Sequence, residues 1–185
     1  MSGMRYAKDN STFTRLQVNV KTHKEPGKVT YRAIHSCINS PCKPGMRMLS
    51  KMLRPQLEAL PHLVKDSREL AQLLNVTKIP EGSKLIKLDI SDFFMSGEHD
   101  QVIEASSNIL PTEERTMYRK LSETVLKNQY ICVPDVDDRI WIVRCGTGMG
   151  LISSGDMSNA AYYTMVETMV QPQLVYKKRT ISIYM

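Results

Sequence analysis

No stretch of the chain approaches the roughly 18 consecutive apolar residues of a membrane span. The opening MSGMRYAKDNST also lacks the apolar run that a signal peptide requires. An intracellular location is therefore expected, nuclear or cytoplasmic and not secreted, with no membrane as partner. Cysteine is scarce: Cys37, Cys42, Cys132 and Cys145 form no C-x-x-C pair, and no histidine stands at a zinc-ligand interval from them. Neither a metal knuckle nor a disulfide framework is expected. Internal repeats and low-complexity tracts are missing as well, which excludes solenoids and arrays.

What is present belongs to a globular chain. Of 185 residues, 42% are hydrophobic and 24% charged, enough apolar material for one core or two small lobes without staples. Lys and Arg number 25 against 19 Asp and Glu, a formal net charge of +6, which biases the surface toward polyanions.

Hydrophobic period and turn residues divide the chain. Leu16, Val18 and Val20 alternate with polar residues as in a half-buried strand. Pro26-Gly27 then makes a turn before a second strand over Val29 to Ile34, giving a basic hairpin. Met46, Leu49, Leu53, Leu57 and Leu60 repeat at helical spacing, with Pro55 expected to kink or restart the helix. Asp66 to Glu69 looks like a capping pair that opens a short helix through Leu74. Pro80-Glu-Gly-Ser83 marks a boundary between residues 1–80 and 81–185.

Beyond it, Lys84 to Ile90 reads as a buried strand. Helices are expected over Glu98 to Ser107 and Thr112 to Lys127, the second with Met117, Leu121 and Val125 on its apolar face. Gln129 to Val133 and Arg139 to Arg144 flank a turn and predict a hairpin. A glycine-rich run, Cys145 to Gly155, leads into a helix carrying Ala161, Met165 and Met169, and Thr180 to Met185 is strand-like. The run lacks the Lys-Ser/Thr of a phosphate-binding P-loop and the strand and helix context of a dinucleotide fold.

Asp89 is the position with the most chemistry in it. A carboxylate at the end of an apolar strand is an oxygen ligand of the kind Mg2+ prefers, although strand-end Asp also caps turns. The hexapeptide Asp89-Ile-Ser-Asp-Phe-Phe94 resembles the first palm motif of reverse transcriptases. Gly146-Thr-Gly-Met-Gly150 followed by Ser154, Gly155 and Asn159 is similar to that family's glycine, serine and asparagine motif, with Met149 where Gln is usual and Gly155 where Pro is usual. The Met149 variant, the Tyr130-x-x-Val133 hairpin before it and the helix ending in Met165 and Glu167 look most like Penelope-like retroelement polymerases. Lys21-Thr-His-Lys24, Arg32-Ala-Ile34, Ser40-Pro41 and Leu49-Ser-Lys51 resemble the fingers of that branch.

The resemblance covers roughly residues 15 to 185. It implies an α+β fold of right-hand polymerase type: a fingers-like lobe with the basic hairpin over residues 1–80, and a partial palm over 81–185. In that palm an antiparallel sheet backed by helices carries Asp89 on a central strand. It implies an RNA-directed DNA polymerase that adds dNTPs to a primer 3'-hydroxyl on an RNA or DNA template. Asp89 and the carbonyl of Ile90 would hold Mg2+. Lys24, or Lys21 in its place, would hold the triphosphate with Arg32, since charge-assisted contacts offset the phosphate charge. Phe94 would exclude the ribose 2'-hydroxyl, and Gly150, Ser154 and Asn159 would shape the nucleotide and template pocket.

Two metal ions about 4 Å apart need more carboxylates than Asp89 supplies. The family provides them in a Tyr-x-Asp-Asp motif that does not occur here. Asp137-Asp138 precedes the glycine run and reads as a hairpin tip. The sequence is therefore expected to be a fragment or a degenerate retroelement copy. The alternatives are a noncatalytic nucleic-acid-binding module, gripping backbone through the basic hairpin, or a noncatalytic scaffold. The 185 residues alone are predicted to have no primer-extension activity. Mg2+-dependent extension by pure protein, abolished in Asp89→Ala, would show the prediction to be wrong.

Overall fold

The computed structural model describes residues 14–20, 31–38, 40–60, 62–64, 66–78, 81–84, 89–133, 137–170 and 183–184. Its elements follow in the order β1 (Thr14–Val20), β2 (Tyr31–His35), α1 (Lys43–Glu58), β3 (Leu63–Val64), α2 (Ser67–Val76), α3 (His99–Ser107), α4 (Thr112–Lys127), β4 (Tyr130–Val133), β5 (Asp137–Ile142), α5 (Ser154–Tyr162), a π-helical turn (Tyr163–Glu167) and β6 (Ile183–Tyr184). The class is α+β.

One four-stranded sheet has the order β2-β1-β4-β5. β1 pairs with β2 antiparallel, Leu16 opposite His35 and Val20 opposite Tyr31, and β4 pairs with β5 antiparallel, Ile131 opposite Trp141. The two hairpins join through a short parallel contact, Thr14 with Ile131 and Arg15 with Cys132. The sheet is thus mixed, a correction to the antiparallel sheet expected. Parallel strands need a long crossover, and here the chain between β1 and β4 includes α1 through α4. Elements from both sides of residue 80 interleave in this one sheet and in one core. β3 and β6 form a separate parallel pair.

The core is helical. α1 turns Met46, Leu49, Leu53 and Leu57 to one side, each at most 5% exposed, against α4 and α5. Full burial of a leucine contributes about 1.5–3 kcal/mol, so this stripe is the largest apolar contribution of any single element. Gly45 lets α1 approach α4 closely, since a Cβ there would stand 3.2 Å from both Leu121 and Val125. α1 continues through Pro55 and ends within one turn of it, so the proline neither breaks nor restarts the helix.

α4 buries Tyr118, Ser122, Val125 and Leu126, while Met117 is exposed. Of the expected face, Val125 is buried and Leu121 packs half-buried against the core, while Tyr118, Ser122 and Leu126 widen the buried side by one position. The cause is polar: the Tyr118 hydroxyl donates to Ser106 Oγ at 2.8 Å, and Ser106 Oγ donates to the Val102 carbonyl at 2.6 Å. This pins α4 to α3, and burial pushes the Tyr118 phenol up to about 12.

α2 opens as the sequence expects, with the Asp66 carboxylate accepting from the Arg68 and Glu69 amides at 2.8 and 2.9 Å, yet it buries no residue. The strand expected over Lys84 to Ile90 falls largely outside the described residues. Asp89 and Ile90 lie in no strand and are exposed, so the central-strand placement of Asp89 is corrected. From Ser91 the chain turns, with Asp92 in the left-handed region at φ 52° and its carbonyl accepting the Met95 amide at 2.8 Å.

These packing roles separate two substitutions. Leu53→Ala is predicted to cost about 2–5 kcal/mol through lost burial and a residual cavity, and Asp66→Ala about 1 kcal/mol through the lost cap. Urea unfolding midpoints would check the order, and equal effects would mean that α1 is not the core helix.

Candidate functional site

Residues 145–153 form the structural centre of the candidate site. Gly146, Gly148 and Gly150 have φ of 75°, 79° and 100°, a region that disfavours any side chain. Each also touches a different neighbour. A Cβ on Gly146 would lie 2.6 Å from the Phe94 carbonyl oxygen and from Met95 Cα. On Gly148 it would meet His35 Nδ1 at 2.7 Å, and on Gly150 the His35 carbonyl oxygen at 2.6 Å.

Backbone hydrogen bonds close these approaches. The Phe94 carbonyl accepts the Thr147 and Gly148 amides at 2.9 and 3.0 Å, the Gly97 carbonyl accepts the Gly146 amide at 2.8 Å, and the Met149 carbonyl accepts the His35 amide at 2.7 Å. His99 Nε2 donates to the Gly146 carbonyl at 3.1 Å. Below the loop, Thr147 Oγ1 shares a hydrogen bond with Ser158 Oγ at 2.8 Å and donates to the Ser154 carbonyl at 3.4 Å.

The segment after Asp89 packs against the helix that follows the loop. Phe93 lies edge-on to Phe94 at 5.2 Å between ring centroids and edge-on to Tyr162 of α5 at 6.0 Å. Phe94 is half-buried, and Asp89, Ile90, Ser91 and Asp92 are exposed beside it. Ser154 is buried and donates to the Leu151 carbonyl at 2.9 Å, so its hydroxyl closes the turn that leads into α5; Asn159 is half-buried on the same helix.

The structure thus brings Phe94, Gly150 and Ser154 to one loop cluster. Arg32 lies exposed on β2, opposite Asn19, and no hydrogen bond or ion pair joins it to Asp89. Lys21 and Lys24 fall outside the described residues. Among the described residues no group of three His, Cys, Asp or Glu could hold a metal ion. Asp89 offers one carboxylate, too few for the two-ion arrangement, so the Mg2+ expectation rests on the resemblance. Among the described residues no helix is long and apolar enough to cross a membrane.

A second feature opens beside the loop. The exposed side of α1 carries Arg47, Lys51 and Arg54, which line a groove of about 420 Å3 with Ser50, Pro55, Ile152 and one acidic residue, Glu58. Ser50 Oγ donates to the Ile152 carbonyl at 3.2 Å, and Arg54 Nε meets Asp156 at 3.2 Å, so both walls of the groove are cross-linked. The helical spacing of these cations was present in the sequence beneath the leucine repeat. His35, His99 and Gln129, which seat the glycine loop, carried no motif and were legible only as members of strand and helix patterns.

Neither a protein-family model nor a curated protein matches the chain.

Burial holds His35 and His99 below the ordinary histidine range, opposed at His35 by the Gln129 side chain and at His99 by the Gly146 carbonyl and the neighbouring Asp100 and Glu98. Both rings are therefore neutral when folded, and the unfolded chain takes up protons first as pH falls. Their contribution to stability is full above about pH 6.5 and is lost as pH falls through the folded values. Unfolding free energy is predicted to decrease on acidification from about pH 7 to 5, by at most about 1.4 kcal/mol per pH unit for each histidine. His99→Gln should make the profile shallower, and an unchanged profile would remove His99 from this account. Gly146→Ala is predicted to cost more than about 1 kcal/mol, because left-handed strain adds to a collision with backbone. Thermal melts of the two proteins check it.

Proposed function

We propose that this chain is the fingers and partial palm of an RNA-directed DNA polymerase of the kind seen in Penelope-like retroelements. The observation that carries the reading is the hydrogen-bonded contact between Phe94 and the Thr147 and Gly148 amides. Two segments far apart in sequence that resemble separate motifs of one active site are in direct backbone contact. Chance likeness of two short motifs carries no requirement that they touch.

On this reading Asp89 and the Ile90 carbonyl would hold part of an Mg2+ pair, of which one ion would lower the pKa of the attacking primer hydroxyl and the other would stabilise the leaving pyrophosphate. Arg32, with Lys24 or Lys21, takes the triphosphate. Phe94 stands under the sugar, where a rigid ring leaves space for hydrogen and not for a hydroxyl. Gly150, Ser154 and Asn159 shape the pocket for the base pair.

A chain completed with a Tyr-x-Asp-Asp hairpin after Met185 tests the reading. Mg2+-dependent primer extension that disappears in Asp89→Ala is expected, and Phe94→Ala should admit ribonucleotides. A completed chain that folds and does not extend a primer rejects the polymerase assignment, and unchanged sugar discrimination removes Phe94 from the gate.

The groove on α1 favours a second reading, a nucleic-acid-binding module without catalysis. Arg47, Lys51 and Arg54 form a row of three cations spanning about 10 Å along the helix axis, along which a phosphate backbone would run. Replacing all three by Ala is predicted to weaken single-stranded RNA binding and to reduce its log-log salt slope by about 2. Fluorescence anisotropy across a salt series measures both. An unaltered slope places the bound strand elsewhere, and binding that ignores both Mg2+ and Asp89→Ala favours the noncatalytic module.

A further inference from the structure

His35 and Gln129, which touch Gly148, also border a cavity of about 10 Å3, the size of one water molecule, whose other walls include Thr14, Ser40, Met46 and Leu151. Two of its polar side chains are almost completely buried, His35 at 2% and Gln129 at 5% exposure. Three of their atoms, His35 Nδ1 and both Gln129 Oε1 and Nε2, make no hydrogen bond of ordinary geometry within the chain, although the Gln129 side chain stands close enough to His35 to favour its protonated form against burial. His35 Nδ1 and Gln129 Oε1 also converge on Gly148, standing 2.7 and 2.8 Å from the point a Cβ would occupy there.

We propose that an internal water molecule occupies this cavity and links His35 Nδ1 to the Gln129 amide, as a fixed part of the seat of the glycine loop. The chemistry selects water over other occupants. Cavities that stay dry are lined by apolar groups, whereas this one gathers three polar atoms that lack an ordinary hydrogen bond. A monovalent cation is disfavoured, because Gln129 Nε2 is a donor and no carboxylate borders the cavity to offset the charge. A neutral His35 leaves one ring nitrogen as acceptor, and the Gln129 amide supplies both a donor and an acceptor, so one water can satisfy all three atoms.

The site makes Gln129 a positioning residue. Gln129 stands between α4 and β4, and its carbonyl accepts the Val143 amide at 2.9 Å, so the water ties the α4–β4 junction to the end of β2. Removing Gly148's freedom is therefore not the only way to displace the loop; removing the amide of Gln129 does so from below.

Nuclear magnetic resonance on the isotope-labelled full chain tests this without a variant. Cross-peaks between water and the Gln129 Nε2 protons are expected with opposite signs in laboratory-frame and rotating-frame experiments, the mark of a long-lived bound water. Absent cross-peaks, or peaks of the same sign from simple proton exchange, overturn the proposal. In Gln129→Met, which keeps the volume and removes the polar atoms, the His35 Nδ1 nitrogen shift should move and the water signal should be lost. A folded variant in which the His35 shift is unmoved counts against the site, and the wild-type measurement decides the question if the variant does not fold.

Discussion

The carbonyl of Phe94 is the constraint on which the rest of the candidate site depends. It accepts two amides from consecutive loop residues, Thr147 and Gly148, and a buried backbone group deprived of its partner costs about as much as a lost hydrogen bond. The loop cannot withdraw without leaving both donors unpaired. It cannot carry a side chain at Gly146 either, because the chain passes too close to Phe94 and Met95. From that fixed point the other contacts follow: Met149 reaches the amide at the end of β2, the Gly146 carbonyl takes the ring of His99 at the start of α3, and the loop delivers the chain into α5.

α1 gives the same region both its support and its charge. One side of the helix is a leucine stripe in the core; the other carries Arg47, Lys51 and Arg54 beside Ile152. A helix of this kind couples packing to electrostatics, since the buried side fixes the axis and hence the spacing of the cations along it. Arg54 is partly neutralised by Asp156 at the start of α5, which leaves Arg47 and Lys51 as the less compensated pair. An exposed ion pair of this sort contributes little to stability, so its larger effect is on where positive potential stands along the groove.

The elements were largely legible, the site less so. α3, α4 and the β4–β5 hairpin match their sequence patterns because period and turn residues agree there. The apolar period of α4 finds Leu121 and Val125 but not Tyr118, which carries a hydroxyl whose partner, Ser106, belongs to another helix, and no periodicity within α4 reports that bond. The mixed sheet was missed for a related reason, since the pairing of Thr14 with Ile131 is a long-range choice and local alternation is silent about strand direction. At the site, the glycines advertised a tight backbone, yet what they approach could not be read. His35 and Gln129 look like ordinary strand and junction residues until the fold places them under Gly148.

The position of the glycine loop also depends on the register of α5. Its middle buries Met157, Ala160 and Ala161, contacts that are non-directional and tolerate sliding along a neighbouring helix. Directional contacts stand at its two ends. At the start, Thr147 engages Ser158 and Ser154. Past the end, the π-helical turn carries Glu167, fully buried, with Oε2 2.6 Å from His62 Nε2, and the His62 ring stacks on Tyr163 at 5.7 Å. Burying a carboxyl group is costly unless a partner meets it in good geometry. Shifting α5 by one residue would break that geometry at Glu167 and the Thr147–Ser158 bond together. A helix whose apolar face is too uniform to choose a register is thus held by two polar contacts, and the height of the loop against Phe94 is set by both.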